Sequence, residues 1–250
     1  MNLWLVLAVI FGGALPVLGE PTYSEVYVEN HRCLVEAPED LPPAAPVVII
    51  LHGFGGNGDE QLALCRSLDL PPCLFVLPDG PFSVAGLPAG ARAWYNRFTH
   101  SPKDMQVSRA YLLKVMDYFS RPFLDDEGTP APPLPPRPII VLGFSQGAQM
   151  ALDAGLNDPG PIQAIVSMSG LIEHPEMTLA HPSAPFATPI LLVHGTWDPV
   201  IQDEDTQTAL WSLRNSGYHP VLKEFRTGHD QTPDEIDAVS DFLRATFSRP

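Results

Sequence analysis

The pentapeptide Gly-Phe-Ser-Gln-Gly at positions 143–147 most constrains what this chain can fold into. It follows the apolar run 138–142 and precedes a helix-compatible run, 146–156. A serine between two glycines at such a junction is typical of a nucleophile elbow, a strand-to-helix turn whose strained backbone accepts only small neighbours. The sequence therefore predicts a strand, a sharp turn and a helix here, with the Ser145 hydroxyl exposed at the end of the strand.

Apolar strand-like runs alternate with amphipathic helical patterns along the rest of the chain. This alternation predicts an α/β fold, with a mostly parallel central sheet and helices on both faces. Strands are predicted at 23–28 and 32–36 (an antiparallel pair), 47–51, 74–77, 164–169, 190–194 and 221–225, and helices at 59–68, after Ser101 and after Thr232. The buried stripe predicted for the helix after Ser101 is Val107, Tyr111, Leu112, Val115 and Phe119.

The N-terminal 19 residues carry no charged side chain, and the stretch 3–18 is nearly all apolar. We interpret residues 1–19 as a signal peptide and residues 20–250 as a single catalytic domain. This interpretation predicts a secreted or periplasmic protein with no stable membrane partner after cleavage. A retained anchor helix is the alternative, although the apolar stretch is short for a span of roughly 20 residues.

Charge and cysteine content narrow the classes of partner. The formal net charge is -15 and no basic cluster interrupts it, so we expect no nucleic-acid partner. The three cysteines lack the C-x-x-C spacing of a zinc or redox site, and we expect no metal and no cofactor. In an oxidising compartment Cys65 and Cys73 could pair, which would leave Cys33 as a buried free thiol.

A serine nucleophile needs a histidine base and a carboxylate that orients this base. His229 is the candidate base because it follows the last predicted strand, where a turn can place an imidazole at the edge of the sheet. Asp198 is the candidate carboxylate, since it lies between serine and histidine in sequence and directly after the strand 190–194. Asp203 and Asp205 are alternatives, but they fall at the predicted start of a solvated helix.

A Gly-rich loop follows the buried strand 47–51 and runs from residue 52 to residue 58. Such a loop can supply an oxyanion hole, here through the backbone amides of Phe54 and Gln146. It lacks the lysine and the spacing of a nucleotide-binding loop, so nucleotide binding is not predicted. His52 and His194, each at the end of a strand, are expected to hold neighbouring loops by hydrogen bonds.

Three further segments lack a regular pattern. The long stretches 78–99 and 171–188 are predicted to lie beside the elbow, because structureless loops of this length are usually functional. The segment 127–138 is too rich in proline for regular structure, and we interpret it as a stiff surface connection.

Four blocks of this chain resemble the phospholipase/carboxylesterase group of α/β hydrolases, which includes the acyl-protein thioesterases. The resemblance spans roughly residues 47–247 and is carried by 51–56, 143–148 with 169–170, 194–200 and 228–229. It implies an α/β-hydrolase fold without a large lid, Ser145 as nucleophile, His229 as base, Asp198 as orienting acid, and the amides of Phe54 and Gln146 as oxyanion hole. It also makes Trp94 and Tyr95 candidate substrate contacts, with loop packing as the alternative.

These observations predict a serine carboxylesterase that hydrolyses short- to medium-chain esters through an acyl-enzyme. The expected partner is a small-molecule ester substrate, and the oligomeric state is left open. A thioesterase or serine peptidase on the same scaffold is one alternative. A module that binds acyl or aromatic ligands without catalysis is another. The apparent export signal argues against a cytosolic role of the thioesterase kind.

Overall fold

A computed structural model of the protein describes residues 23–38, 40–121 and 135–247. Within these ranges the strands are β1 Tyr23–Val28, β2 His31–Glu36, β3 Val47–Leu51, β4 Leu74–Pro78, β5 Phe82–Ser83, β6 Arg92–Ala93, β7 Ile139–Phe144, β8 Ile162–Met168, β9 Ile190–Gly195 and β10 Val221–Phe225. The helices are α1 Leu62–Ser67, preceded by a 3-10 turn at Asp59–Gln61, α2 Pro102–Ser120, α3 Gln146–Asn157, α4 Pro175–Thr178, α5 Asp203–Asn215 and α6 Pro233–Phe247.

The large sheet has the strand order β1-β2-β4-β3-β7-β8-β9-β10 within the described ranges. Strand β2 pairs antiparallel with both of its neighbours, and every other adjacent pair is parallel. The short strands β5 and β6 form a separate hairpin in the 78–99 segment. The predicted α/β fold with a mostly parallel sheet is confirmed.

Both faces of this sheet are covered. Along β3, Val47, Ile49 and Leu51 enter the core shared with α2, α3 and α5, whereas Val48 and Ile50 enter the core shared with α1 and α6. Successive side chains of a strand point to opposite faces. A strand buried on both faces is therefore apolar at every position, which is why β3 is a continuous apolar run.

Helix α2 differs from its predicted stripe at one position. Ser101 caps the helix as expected, since its hydroxyl accepts a hydrogen bond from the Asp104 amide at 3.3 Å. Val107, however, is 45% exposed, and Ser108 is buried beside it. The Ser108 hydroxyl donates to the Trp94 carbonyl, so a polar residue takes the inward position.

The cysteine pairing proposed from the sequence is wrong. Cys65 and Cys73 are free thiols, both buried in the core under α1 and α6, where they pack as apolar side chains. Cys33 is free and buried, as expected. Burial raises the pKa of the Cys33 and Cys73 thiols to about 12 and also raises that of Cys65, which favours the protonated, less reactive thiol in all three.

Two sequence interpretations fall wholly or largely outside the described residues. The proposed signal peptide, residues 1–19, is one, and the division of the chain at that point stays a prediction. Of the proline-rich segment only 135–138 is described. This part leads directly into β7, and the backbone amide of Arg137 donates to the Ser120 carbonyl at the end of α2.

Helix α3 begins in close contact with the end of β3. A Cβ atom built on Gly147 would lie 2.3 Å from the Leu51 carbonyl oxygen and 2.5 Å from that of His52. A Cβ on Gly143 would lie 2.1 Å from the Gly147 carbonyl oxygen. Because all of these neighbours are backbone atoms, no side chain can move aside to make room.

We expect Gly147→Ala to destabilise the protein by about 3 kcal/mol or more, since the added methyl group forces two backbone segments apart. Gly86→Ala is the matched control, because Gly86 has open space around it and only a positive φ of 83°. That strain costs roughly 1 kcal/mol. Urea unfolding of both variants measures the difference, and equal losses would contradict the proposed crowding.

Candidate active site

Ser145 lies at the turn between β7 and α3 with φ 56° and ψ -121°. A positive φ is rare outside glycine and marks stored strain, which persists only when the surroundings hold it. Here the Ser145 amide donates to the Met168 carbonyl at 2.9 Å, and the crowded glycines fix the turn from both sides. The strained turn that the pentapeptide predicts is therefore present.

Three predicted site residues meet at the carboxyl edge of the sheet. His229 Nε2 lies 2.9 Å from Ser145 Oγ, and His229 Nδ1 lies 2.7 Å from Asp198 Oδ2. A carboxylate only accepts hydrogen bonds, so Nδ1 carries the proton and donates to Asp198. Nε2 is then free to accept the hydrogen bond of the serine hydroxyl, which is the arrangement a general base requires.

Asp198 and His229 come together because their loops run side by side beyond β9 and β10. The Thr196 amide donates to the Phe225 carbonyl at 2.7 Å, and the Trp197 amide donates to the Thr227 carbonyl at 3.0 Å. The alternatives Asp203 and Asp205 lie exposed in the first turn of α5, where Asp205 caps the helix by accepting from the Gln202 amide. The structure thus brings Asp198 to the histidine.

The Asp198 carboxylate is buried but well supplied with hydrogen-bond donors. Its second oxygen, Oδ1, accepts from the amides of Val200 at 2.8 Å and Ile201 at 3.0 Å. Burial alone would raise its pKa, but the hydrogen bond from His229 and the two backbone amides outweigh it, so the pKa of Asp198 lies below its usual value. The group is an anion held ready to stabilise an imidazolium.

The two amides predicted for an oxyanion hole belong to Gln146, which follows Ser145, and to Phe54, which follows Gly53. Gln146 opens α3, where a helix N-terminus favours negative charge, and Gly53 lies so close that a Cβ there would be 3.4 Å from Ser145 Cβ. Neither the Phe54 nor the Gln146 amide has an acceptor among the described residues. Their role as an oxyanion hole stays a prediction.

His52 holds the Gly-rich loop, as predicted. Its Nδ1 donates to the Gly53 carbonyl at 2.7 Å, and its Nε2 accepts from the Gly80 amide at 2.9 Å. Burial lowers the pKa of His52 to about 4, so it stays neutral in this tautomer. The matching prediction for His194 is wrong, because this buried imidazole has no hydrogen-bond partner in the described ranges.

Trp94 and Tyr95 were candidate substrate contacts, but they are 0% and 5% exposed. The Trp94 indole N–H donates to the His52 carbonyl at 2.8 Å, and the Tyr95 hydroxyl donates to Gln149 Oε1 at 2.5 Å. Both side chains belong to the core below the site. The alternative interpretation, loop packing, fits their positions better.

Sequence reasoning missed the exposed apolar side chains near the site. The Arg97 guanidinium lies 5.0 Å from the centre of the Phe54 ring and 5.2 Å from that of Phe98, and Leu87 packs over Gly55. Trp197, next to Asp198, is 70% exposed. The available signal was the placement of large apolar residues inside loops that carry catalytic candidates.

The described residues contain neither a metal-binding cluster nor a membrane-spanning helix. No group of three or more His, Cys, Asp or Glu side chains there could hold a metal ion. None of the helices in the same ranges has the length and apolar character needed to cross a membrane.

A mainly parallel sheet with a strained serine turn, a histidine and a buried aspartate at its carboxyl edge defines a serine hydrolase of the α/β-hydrolase fold. The chain belongs to the phospholipase/carboxylesterase family, whose sequence model matches residues 30–247. The predicted family and enzyme class are therefore confirmed, and the protein is an esterase or thioesterase of this type.

Similar proteins agree with this assignment. Acyl-protein thioesterase 1 of Gibberella zeae is 33% identical, over 83% of this chain and 94% of that protein. Acyl-protein thioesterase 1 of Saccharomyces cerevisiae is 27% identical, over 83% of this chain and 96% of that protein. Among solved structures, esterase PE8 is 29% identical with a TM-score of 0.68, covering 85% of this chain and 99% of that one. A carboxylesterase of Bacillus cereus shares the fold, with a TM-score of 0.70 at 18% identity and coverage of 88% and 96%.

The comparisons contradict the secreted or periplasmic location expected from residues 1–19. The relatives are acyl-protein thioesterases, the kind of enzyme that the apparent export signal argued against. The expectation rested on an apolar run that lacks the basic residues of a signal peptide, and this run precedes the family match at residue 30. Apolar composition alone does not distinguish an export signal from other uses of such a segment.

The neutral state of His52 predicts how stability depends on pH. A histidine with a folded pKa of about 4 and an unfolded value of 6.5 takes up protons preferentially when unfolded. Its contribution to stability is thus complete above pH 6.5 and lost as pH falls towards 4, by about 3 kcal/mol. Urea unfolding of wild type and His52→Asn should show this extra loss in the wild type only.

The control for this comparison is the interval from pH 7 to pH 8, where His52 is neutral in both states. The two proteins should change in parallel there. A wild-type curve that runs parallel to that of the variant down to pH 4 would show that His52 is not held neutral.

Proposed function

We propose that the protein is a carboxylesterase that cleaves short- to medium-chain acyl esters through an acyl-enzyme on Ser145. The observation that carries this proposal is the unbroken hydrogen-bonded chain from Asp198 through His229 to Ser145 Oγ, at 2.7 and 2.9 Å. A serine with a correctly oriented histidine and a buried anionic carboxylate is equipped for acyl transfer.

In the first half of the reaction, Ser145 Oγ attacks the ester carbonyl carbon while His229 Nε2 takes the hydroxyl proton. The amides of Phe54 and Gln146 stabilise the oxygen that becomes negative. The tetrahedral intermediate then collapses: the bond to the alcohol oxygen breaks, and His229 returns the proton to the leaving alcohol. Asp198 stabilises the imidazolium between these two transfers.

The second half repeats these steps with water as the nucleophile. His229 removes a proton from water as its oxygen attacks the acyl carbon of the Ser145 ester. Collapse of the second tetrahedral intermediate breaks the bond to Ser145 Oγ, which regains its proton from His229. The acid leaves, and the enzyme returns to its starting state.

The exposed apolar side chains offer a surface for the acyl chain. Gly53, the neighbour of the half-buried Phe54, lies beside Ser145, and the Arg97 guanidinium lies against both the Phe54 ring and the exposed Phe98 ring. An acyl chain that extends over this stack would reach Phe54 first and Phe98 only when it is longer. This order supports a preference that depends on chain length.

A second candidate function is hydrolysis of thioesters. It is favoured by the relatives named acyl-protein thioesterases, which align along 92–96% of their own length at 27–33% identity. The acyl group and the nucleophile are the same for an ester and a thioester. An ester and a thioester differ in the leaving group, so the side chains that contact the leaving group decide between them.

The deciding experiment compares p-nitrophenyl esters and thiocholine esters of matched chain lengths, from acetyl to palmitoyl, with the full chain and its Ser145→Ala variant. We expect ester hydrolysis with an optimum at short or medium chains and loss of at least about a thousandfold in kcat in the variant. A kcat/KM that favours thioesters at every length would replace the esterase proposal with the thioesterase one. Turnover that survives Ser145→Ala would overturn both.

The acyl surface makes a prediction of its own. Phe98→Ser should raise KM for octanoyl esters about five- to tenfold, because the chain end loses apolar contact area, and should leave acetyl esters unchanged. Tyr118→Ser is the matched control, since Tyr118 is also an exposed aromatic but lies on α2. Equal effects of Phe98→Ser on both chain lengths would place the acyl chain elsewhere.

A further inference from the structure

We propose that Trp94 is a positioning residue that fixes the geometry of the oxyanion hole, by joining the loop that carries the Phe54 amide to Gln146, which carries the other amide. This inference rests on the proposed function, since it concerns the same reaction. Trp94 touches no reacting atom and is fully buried. Its contribution acts through hydrogen bonds to the two elements that supply the donors.

The first link runs from the Trp94 side chain to the Gly-rich loop. The indole N–H donates to the His52 carbonyl at 2.8 Å. The next carbonyl, that of Gly53, accepts from His52 Nδ1 at 2.7 Å. Two consecutive peptide groups are thus held by ring N–H donors. In a trans peptide the N–H points opposite to the C=O, so holding the Gly53 carbonyl fixes the direction of the Phe54 N–H.

The second link runs from the Trp94 backbone to the elbow. The Trp94 amide donates to Gln146 Oε1 at 2.8 Å, and Gln146 Nε2 donates to the Tyr95 carbonyl at 2.9 Å. Tyr95 adds a bond from its hydroxyl to Gln149, one turn further along α3. The residue that offers the second oxyanion amide therefore has its side chain tied to the segment 94–95.

One residue consequently spans both halves of the hole. The Trp94 ring packs against His52, at 5.1 Å, and Tyr111, at 6.5 Å between ring centres, and the Ser108 hydroxyl donates to the Trp94 carbonyl. An oxyanion hole works only when both donors reach the same oxygen, and a displacement of about 1 Å is enough to lower the rate strongly. A fixed bridge between the two donors preserves that distance.

The experiment uses Trp94→Phe, which keeps an aromatic ring and removes the indole N–H. We expect kcat for p-nitrophenyl esters to fall about ten- to a hundredfold with KM nearly unchanged, because the lost interaction is one made in the transition state. Binding of a trifluoromethyl ketone, which forms a tetrahedral adduct with a serine, should weaken by a similar factor. A merely structural role would not lower analogue affinity selectively over substrate affinity.

Tyr111→Phe is the matched control. Tyr111 is a buried aromatic that packs against the Trp94 ring and contacts Cys33 through its hydroxyl. It should keep the wild-type kcat and analogue affinity. Gln146→Met, which retains the backbone amide and loses only the second link, tests the bridge without altering Trp94 and should lower kcat in the same direction.

Amide hydrogen exchange supplies a readout that does not depend on turnover. The Gly56 amide donates to the Gly53 carbonyl at 3.2 Å and so reports the orientation of the peptide that bears the Phe54 N–H. We expect its exchange to accelerate about tenfold or more in Trp94→Phe and to stay unchanged in Tyr111→Phe. Unchanged Gly56 exchange, or a loss of kcat equal in both variants, would overturn the proposal. A wild type inactive on every ester and thioester would refute the proposed function, while the exchange result would still decide whether Trp94 holds the loop.

Discussion

At Gly147 the first turn of α3 lies against the carbonyl groups of Leu51 and His52, with no room for a side chain between them. This contact sets the distance from the elbow to the Gly-rich loop, because the loop leaves β3 at that point. The positive φ of Ser145 is tolerable only while β7, β8 and α3 hold the turn in place. Two glycines and the parallel pairing of β3 with β7 therefore determine both the packing of the core and the positions of the catalytic residues.

Much of the fold and of the candidate site can be predicted from local pattern. Strands such as β3 can be predicted because burial on both faces leaves them apolar at every position. The elbow can be predicted because only glycine fits at the two positions that flank its serine. The meeting of Asp198 and His229 follows from chain order and from the rule that parallel strands end at one edge of the sheet. These features depend on backbone geometry, which follows from the local pattern of residue types.

What could not be predicted depends on which side chains happen to be neighbours. Trp94 is a residue type common in ligand contacts, yet its indole N–H donates to a carbonyl just after β3 and its backbone amide to a side chain on α3, and the ring is buried. Ser108 takes the inward place expected for Val107 because a carbonyl lies opposite it. The cysteine spacing is compatible with a bond, and only the packing under α1 and α6 shows two separate thiols. Likewise, the apolar composition of residues 1–19 does not by itself determine where the protein is located.

The catalytic groups come from the ends of β7, β9 and β10, whereas the exposed apolar side chains near Phe54 come from a loop that the sheet does not need for its own pairing. Mutations can therefore change this loop without changing the sheet. On the proposed function, changes in the loop alter which acyl groups fit, while the catalytic residues at the strand ends stay the same. Such a division lets a lineage diversify its substrates by small steps, each of which starts from a working enzyme.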